Sequence, residues 1–177
     1  ILENLPEGFT VITLDESFFF YDTLIRRLWI EEGKRPIAKV TGSHKHSCVF
    51  GALSLDGRQL FRQYDYFDGE TFRRFLMLVY HKFPKCYLFL DKAGQHYKDK
   101  RVQTYFEKHK DSLIPVWQPT ASPEFMPLEE CWNIAKNDLL AQFNYPFFKE
   151  FTASIMEYLR TKRFNLNIRK YLLREVS

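Results

Sequence analysis

Two apolar runs far apart in the chain each end in a bare aspartate: TVITLDES at Asp15 and CYLFLDKAGQH at Asp91. β-Branched and aliphatic runs of this kind read as buried strands. A desolvated carboxylate without a partner is costly, so a strand that ends in one points to a cation at that spot. The region between the runs reads as a meander and then a helix. HSCVFGALSL (46–55) is an apolar strand, closed by the Asp56-Gly57 turn and answered by a strand over 59–66. Asp68 caps a helix whose apolar positions Phe72, Phe75, Leu76, Val79 and Phe83 follow helical spacing up to Pro84.

Further elements complete a mixed α/β pattern. Arg27–Ile30 and Ala38–Val40 are short extended candidates. A helix over about 98–110 and a strand over 113–117 follow the Asp91 run. Helices then cover about 127–142 and 146–161, ahead of a basic amphipathic tail. The predicted order is β-β-β-β-α-β-α-β-α-α. Strands joined through helical crossovers run parallel. The Asp15 and Asp91 strands are therefore expected side by side, with both acids near the same end, where open α/β sheets place their sites.

A third acid joins them. In SPEFMPLEECW, Pro127 opens a helix on which Leu128, Trp132, Ala135 and Leu139 form the buried stripe. Glu129 flanks that stripe and can face the sheet edge, while Glu130 lies on the solvated side. Glu124 precedes the helix and suits its N-terminus. Three hard-oxygen groups from distant segments suit a divalent cation, and the natural chemistry is phosphodiester cleavage or transfer. The competing reading makes each acid a turn or helix cap.

Composition narrows the rest. With 177 residues and 45% apolar content, the chain has material for one sizeable core. A net charge of +4 is compatible with a polyanionic partner without demanding one. Cys48, Cys86 and Cys131 are odd in number and form no CxxC pair, which predicts reduced core thiols. No apolar stretch reaches membrane-spanning length. A Gly-rich phosphate loop, a GxSxG elbow and a Cys–His nucleophile pattern are all missing, which argues against nucleotide hydrolysis and acyl transfer. His44 and His46 share a strand face without a third ligand in view. The opening Ile1 predicts a piece of a longer protein, with residues 1–9 a linker remnant, 10–145 the catalytic domain and 146–177 a helical extension packed on it.

TVITLDES, CYLFLDKAGQH and SPEFMPLEECWNIAK resemble the three signature blocks of DDE transposases of the mariner superfamily, in the branch of prokaryotic insertion sequences. RRLWIEEGKRP (26–36) and CVFGALSLDG (48–57) are also similar to family segments, so the resemblance runs from about residue 10 to 140. In the third block Ser122, Pro123, Pro127, Glu129, Trp132 and Lys136 all fall in register, and 37 residues lie between Asp91 and Glu129.

The resemblance implies an RNase H-like fold with Asp15, Asp91 and Glu129 as the catalytic, metal-binding triad. It implies two Mg2+ or Mn2+ ions when DNA is bound, cleavage at transposon ends, and attack of a 3′ hydroxyl on target DNA. It further implies a homodimer on paired ends, a cytoplasmic, nucleoid-associated setting, and an end-recognition region outside this chain. Two positions depart from the pattern. Lys92 replaces an Asn, which sets it either to compete for Asp91 or to hold a DNA phosphate. Met126 replaces another Asn and removes a helix cap.

His96 stands where the family has its His, either at the site or as a loop residue. Lys98 and the C-terminal cations Arg163 and Lys170 are candidate DNA contacts or plain surface groups. Two alternative functions stand beside strand transfer. One is another RNase H-like nuclease such as a resolvase; the other is a decayed or domesticated DNA- or protein-binding domain.

Overall fold

A computed structural model describes residues 4–24, 32–33, 40–118, 126–141 and 145–172. Strand β1 (Thr10–Phe20) is the central strand of a five-stranded sheet in the order β3-β2-β1-β4-β5. Strands β2 (His46–Ser54) and β3 (Gln59–Tyr64) continue from it as an antiparallel meander. The hairpin between them turns where expected: Gly57 adopts φ +80°, its N–H donates to Ser54 O, and Asp56 accepts from the Arg58 N–H.

Helix α1 (Gly69–Lys82) begins with a reciprocal cap. The Thr71 N–H donates to Asp68 Oδ1 at 2.7 Å, and the Asp68 N–H donates to Thr71 Oγ1 at 3.0 Å. The crossover leads into β4 (Cys86–Leu90), parallel to β1, and a second crossover leads into β5 (Leu113–Trp117), parallel to β4. Between β4 and β5 lie a one-turn helix α2 (Gly94–Tyr97) and α3 (Lys100–Lys108), capped by Asp99. The helix expected over about 98–110 is found as α3, two residues shorter at each end, and Lys98 closes the preceding turn α2 instead of opening α3.

Period-two alternation sorts β1 onto two cores. Ile12 and Leu14 pack with α1 and α3 residues such as Phe72, Phe75 and Val102. Phe19 packs on the opposite face with α4 (Pro127–Leu140), α5 (Phe148–Thr161) and Ile168, which opens α6 (Ile168–Leu172). Phe151, Ile155, Leu159 and Phe164 belong to this second core, so the segment after residue 146 shares the sheet's apolar face. All three cysteines are buried and free. The extended candidate at 27–30 and most of that at 38–40 lie outside the described residues, as do Ser122, Pro123 and Glu124.

One boundary differs from the expectation in a way that shapes the site. β1 does not end at Asp15 but runs on to Phe20, because β2 pairs with it through Phe20↔His46. On its other side the pairing with β4 reaches only Thr13↔Phe89. Asp15 therefore sits mid-strand, just past the point where the sheet opens.

Candidate active site

Continuing the β1–β4 register two residues beyond Thr13↔Phe89 sets Asp15 level with Asp91, the first residue after β4. The two acids expected at one sheet end are there, and each is held differently. Asp15 Oδ2 accepts a 2.9 Å hydrogen bond from Trp132 Nε1 of α4. Burial and the neighbouring acids Glu16 and Glu129 push the Asp15 carboxyl up to about 7, against the pull of the Trp132 donor.

The Trp132 bond depends on a glycine. Gly51 pairs directly with Asp15 across β1–β2, and a Cβ there would lie 2.7 Å from Trp132 Cη2. Only the bare backbone lets the indole lie over β2 and reach the carboxylate.

Asp91 is held by a cation. Its Oδ1 lies 2.7 Å from His96 Nδ1 and accepts the Ala93 N–H at 3.1 Å. Its Oδ2 accepts no protein hydrogen bond among the described residues, and the side chain is 51% exposed. His96 itself is 1% exposed, its ring 4.1 Å from that of Phe72. Its Nε2 lies 2.9 Å from Glu16 Oε1, a charge contact without hydrogen-bond alignment. Burial opposes the imidazolium, yet Asp91 and Glu16 outweigh it and raise His96 to about 9. The His96 bond in turn holds Asp91 below the usual carboxylate range. His96 thus has no surface to offer DNA, and its candidacy as a DNA contact is corrected: it is a buried bridge between the acids of β1 and β4.

Glu129 comes from the first turn of α4, whose N-cap Met126 makes no side-chain cap bond, as its residue type dictates. Leu128, Trp132, Ala135 and Leu139 are buried, so the stripe is as read. Glu129 is exposed, unpaired among the described residues, and near enough to raise Asp15. Lys136, two turns on, is half-buried with its ammonium 5.6 Å from the Phe19 ring centre. Burial lowers its pKa, and Glu129 and Asp15 act against that.

Lys92 and Lys98 are exposed, and neither is ion-paired among the described residues; the counter-ion of Asp91 is His96, not Lys92. Arg163 and Lys170 are exposed, the first just beyond α5 and the second in α6. His46 Nδ1 turns to the His44 carbonyl. Sequence reading missed the roles of Glu16, Gly51 and the Trp132 N–H. The signal for Glu16 was its place beside Asp15 on the opposite strand face.

Chemically the donor set suits a hard divalent ion: three carboxylates, two of them electrostatically coupled and one with a free oxygen. Among the described residues no three acid, His or Cys side chains already converge on one point. Asp15 is instead turned to the Trp132 donor, and Asp91 to His96.

Residues 10–152 match the family model described as DDE superfamily endonuclease. The chain belongs to that superfamily. Solved structures place the fold with its relatives. The Mos1 Strand Transfer Complex matches with TM-score 0.68 at 12% identity, over 91% of this chain and 50% of that one. The Mos1 transposase paired-end complex with left transposon end matches with TM-score 0.67 at 13% identity, over 90% and 50%. A simian T-cell lymphotropic virus intasome, in complex with a PP2A regulatory subunit, matches with TM-score 0.56 at 9% identity, over 86% and 49%. The DDE chain thus spans about half the length of the structures it matches, and its mixed sheet is the RNase H-like one expected. No curated protein sequence matches it. None of its described helices is long and apolar enough to cross a membrane.

Proposed function

We propose that this DDE domain is the catalytic part of a transposase that cuts DNA at the ends of an insertion sequence and joins the freed 3′ ends to target DNA. The observation that carries the reading is the level placement of Asp15 and Asp91 on adjacent parallel strands, with Glu129 on the helix bonded to Asp15 through Trp132. Asp15, Asp91 and Glu129 would hold Mg2+ or Mn2+. Such ions, when bound, activate the attacking hydroxyl and stabilise the leaving oxygen.

The chain's own residues supply the setting. Trp132 orients the Asp15 carboxylate, and His96 fixes Asp91 with Oδ2 free to take a ligand. Lys136 offsets part of the negative charge of Asp15 and Glu129. Lys92, exposed in the loop after β4, and Lys98, exposed at the end of α2, would meet phosphates flanking the scissile bond. The enzyme would act as a homodimer on paired ends, in the cytoplasm with the nucleoid.

The test is Mn2+- or Mg2+-dependent nicking of transposon-end DNA, beside Asp91→Ala, with calorimetry of Mn2+ binding on the same protein. Cleavage lost in the variant supports the reading, and a strand-transfer assay with pre-cut ends separates it from a resolvase-type nuclease. A second reading, a domesticated domain that only binds DNA or protein, rests on Asp91 being already paired with His96. A folded wild type that binds no Mn2+ would select it.

A further inference from the structure

The long free edge of the sheet carries a second site, separate from the acids and independent of the cleavage reading. β3 is paired to β2 on one side, and no described residue pairs with its other side. Every residue from Gln59 to Tyr66 lines one of two adjoining hollows, of about 800 and about 270 Å3, which share Met156 and Arg160. Together they form one trough. The strand edge is its floor, α1 gives one wall with Arg74, Met77 and Leu78, and α5 gives the other with Met156 and Arg160.

Its chemistry is strongly one-sided. Six cations (Arg62, Arg73, Arg74, Lys82, Arg160 and Arg163) line the trough against the lone acid Asp65. That excess is larger than the +4 of the whole chain. Arg73 is committed to Glu70 at 2.8 Å, and Arg74 stands 3.9 Å from the same carboxylate. Arg62, Lys82, Arg160 and Arg163 make no ion pair with any described residue. Between the cations lie flexible apolar groups, with Met77 47% and Leu78 38% exposed.

An unpaired strand edge presents a row of N–H and C=O groups that an extended chain can satisfy. A polyanion would neutralise the guanidinium groups, and thioether and aliphatic walls suit apolar side chains. A nucleic-acid backbone would meet the charges but leave the edge unpaired and the walls unused. We propose that the trough docks an extended acidic segment of a partner polypeptide. The segment adds to β3 as a sixth strand, its carboxylates on Arg62, Arg74, Arg160 and Arg163 and its apolar side chains on Met77, Leu78 and Met156.

The test titrates the whole chain into a fluorescein-labelled peptide of repeating Glu-Glu-Val-Val, which sets both residue types on each face of an added strand, and reads anisotropy. Three results are expected. Binding saturates; Arg62→Glu with Arg160→Glu, both exposed positions, weakens it by at least roughly tenfold; and N-methylation of alternate peptide amides, which needs no protein variant, does the same. The amides of residues 59–64 should also gain hydrogen-exchange protection. Absence of saturation overturns the proposal, and so does equal binding of the N-methylated peptide, which would mean charge attraction without strand addition. Tighter binding of oligo-dT at the same arginines would replace the peptide with nucleic acid. Self-association abolished by the two arginine changes would replace it with a second copy of the chain.

Discussion

Gly51→Ala is expected to disturb the site through Trp132 without touching an acid. The added Cβ would lie 2.7 and 2.8 Å from Trp132 Cη2 and Cζ2 and 3.0 Å from Leu128 Cδ2. Carbon atoms rest at about 3.5–4.0 Å, so something must move by about 1 Å. Leu128 can turn its methyl, but Trp132 is 1% exposed and wedged edge-on between Phe19 and Phe61. The indole therefore tilts, and its Nε1 leaves Asp15 Oδ2, now 2.9 Å away.

Overpacking costs about 1–3 kcal/mol. Losing the hydrogen bond to a charged group adds about 1.5–3 kcal/mol, and the better strand propensity of alanine returns about 0.5–1 kcal/mol. Together these give a net loss of about 1.5–5.5 kcal/mol, read as a lower urea midpoint at unchanged slope.

The mechanism is isolated by repeating the change in a Trp132→Phe background. Phenylalanine lacks the two indole carbons that the new Cβ meets, and the donor to Asp15 is already gone. There Gly51→Ala should cost under about 0.5 kcal/mol, a coupling of at least about 1 kcal/mol between the sites. An equal cost in both backgrounds, or a single-variant loss below about 0.5 kcal/mol, would refute the placement of the indole against β2.

His96→Ala removes the cation between Asp91 and Glu16. Discounted for the half-exposed Asp91, the loss should be about 1–3 kcal/mol by urea unfolding, and a change below about 0.5 kcal/mol would contradict the bridge. Asp15, raised to about 7, and His96, raised to about 9, each keep a proton in the folded state that the unfolded chain has released. In the metal-free domain the stability these two groups contribute is therefore fully present only at about pH 4 and below. Stability then falls as pH rises to about 7 through Asp15 and from about 6.5 to 9 through His96, and a thermal-melt series that rises over that range would reverse the sign. Burial pushes the Cys48 thiol up to about 11 and the Cys86 and Cys131 thiols up to about 12. A thiol reagent should label none of them in the native protein at pH 8 and all three after unfolding; rapid native labelling would place a cysteine at the surface.

Where periodicity alone decides, the sequence was legible. The α1 stripe, its Asp68 cap, the Asp56-Gly57 hairpin and the buried α4 stripe need only neighbours within a turn or a strand, and each is found as read. Misses came where a partner far along the chain decides. The acid at position 15 reads as the end of a strand, yet pairing of Phe20 with His46 carries β1 past it. His96 reads as a loop or site group because nothing near it in sequence tells that Phe72 and Glu16 will enclose it. Trp132 was readable as core from its spacing, but its hydrogen bond to Asp15 follows from Gly51 standing opposite that residue, a matter of cross-strand register.

The two strand acids meet opposite electrostatic conditions, and this divides their labour. Asp91 has its charge balanced on one oxygen by a buried imidazolium, so it stays ionised with Oδ2 available. Asp15 is bonded by the neutral donors of Trp132 and the Glu16 backbone, is buried and crowded by Glu16 and Glu129, and holds its proton to about 7. A cation arriving between them meets Asp91 already ionised and, below about pH 7, must displace the proton of Asp15. Glu16 links the two through the strand: it raises Asp15 on one face and anchors His96 on the other. Neutralising Glu16 would ease the crowding at Asp15 while loosening His96, so the adjacent Asp-Glu pair sets the charge of both acids at once.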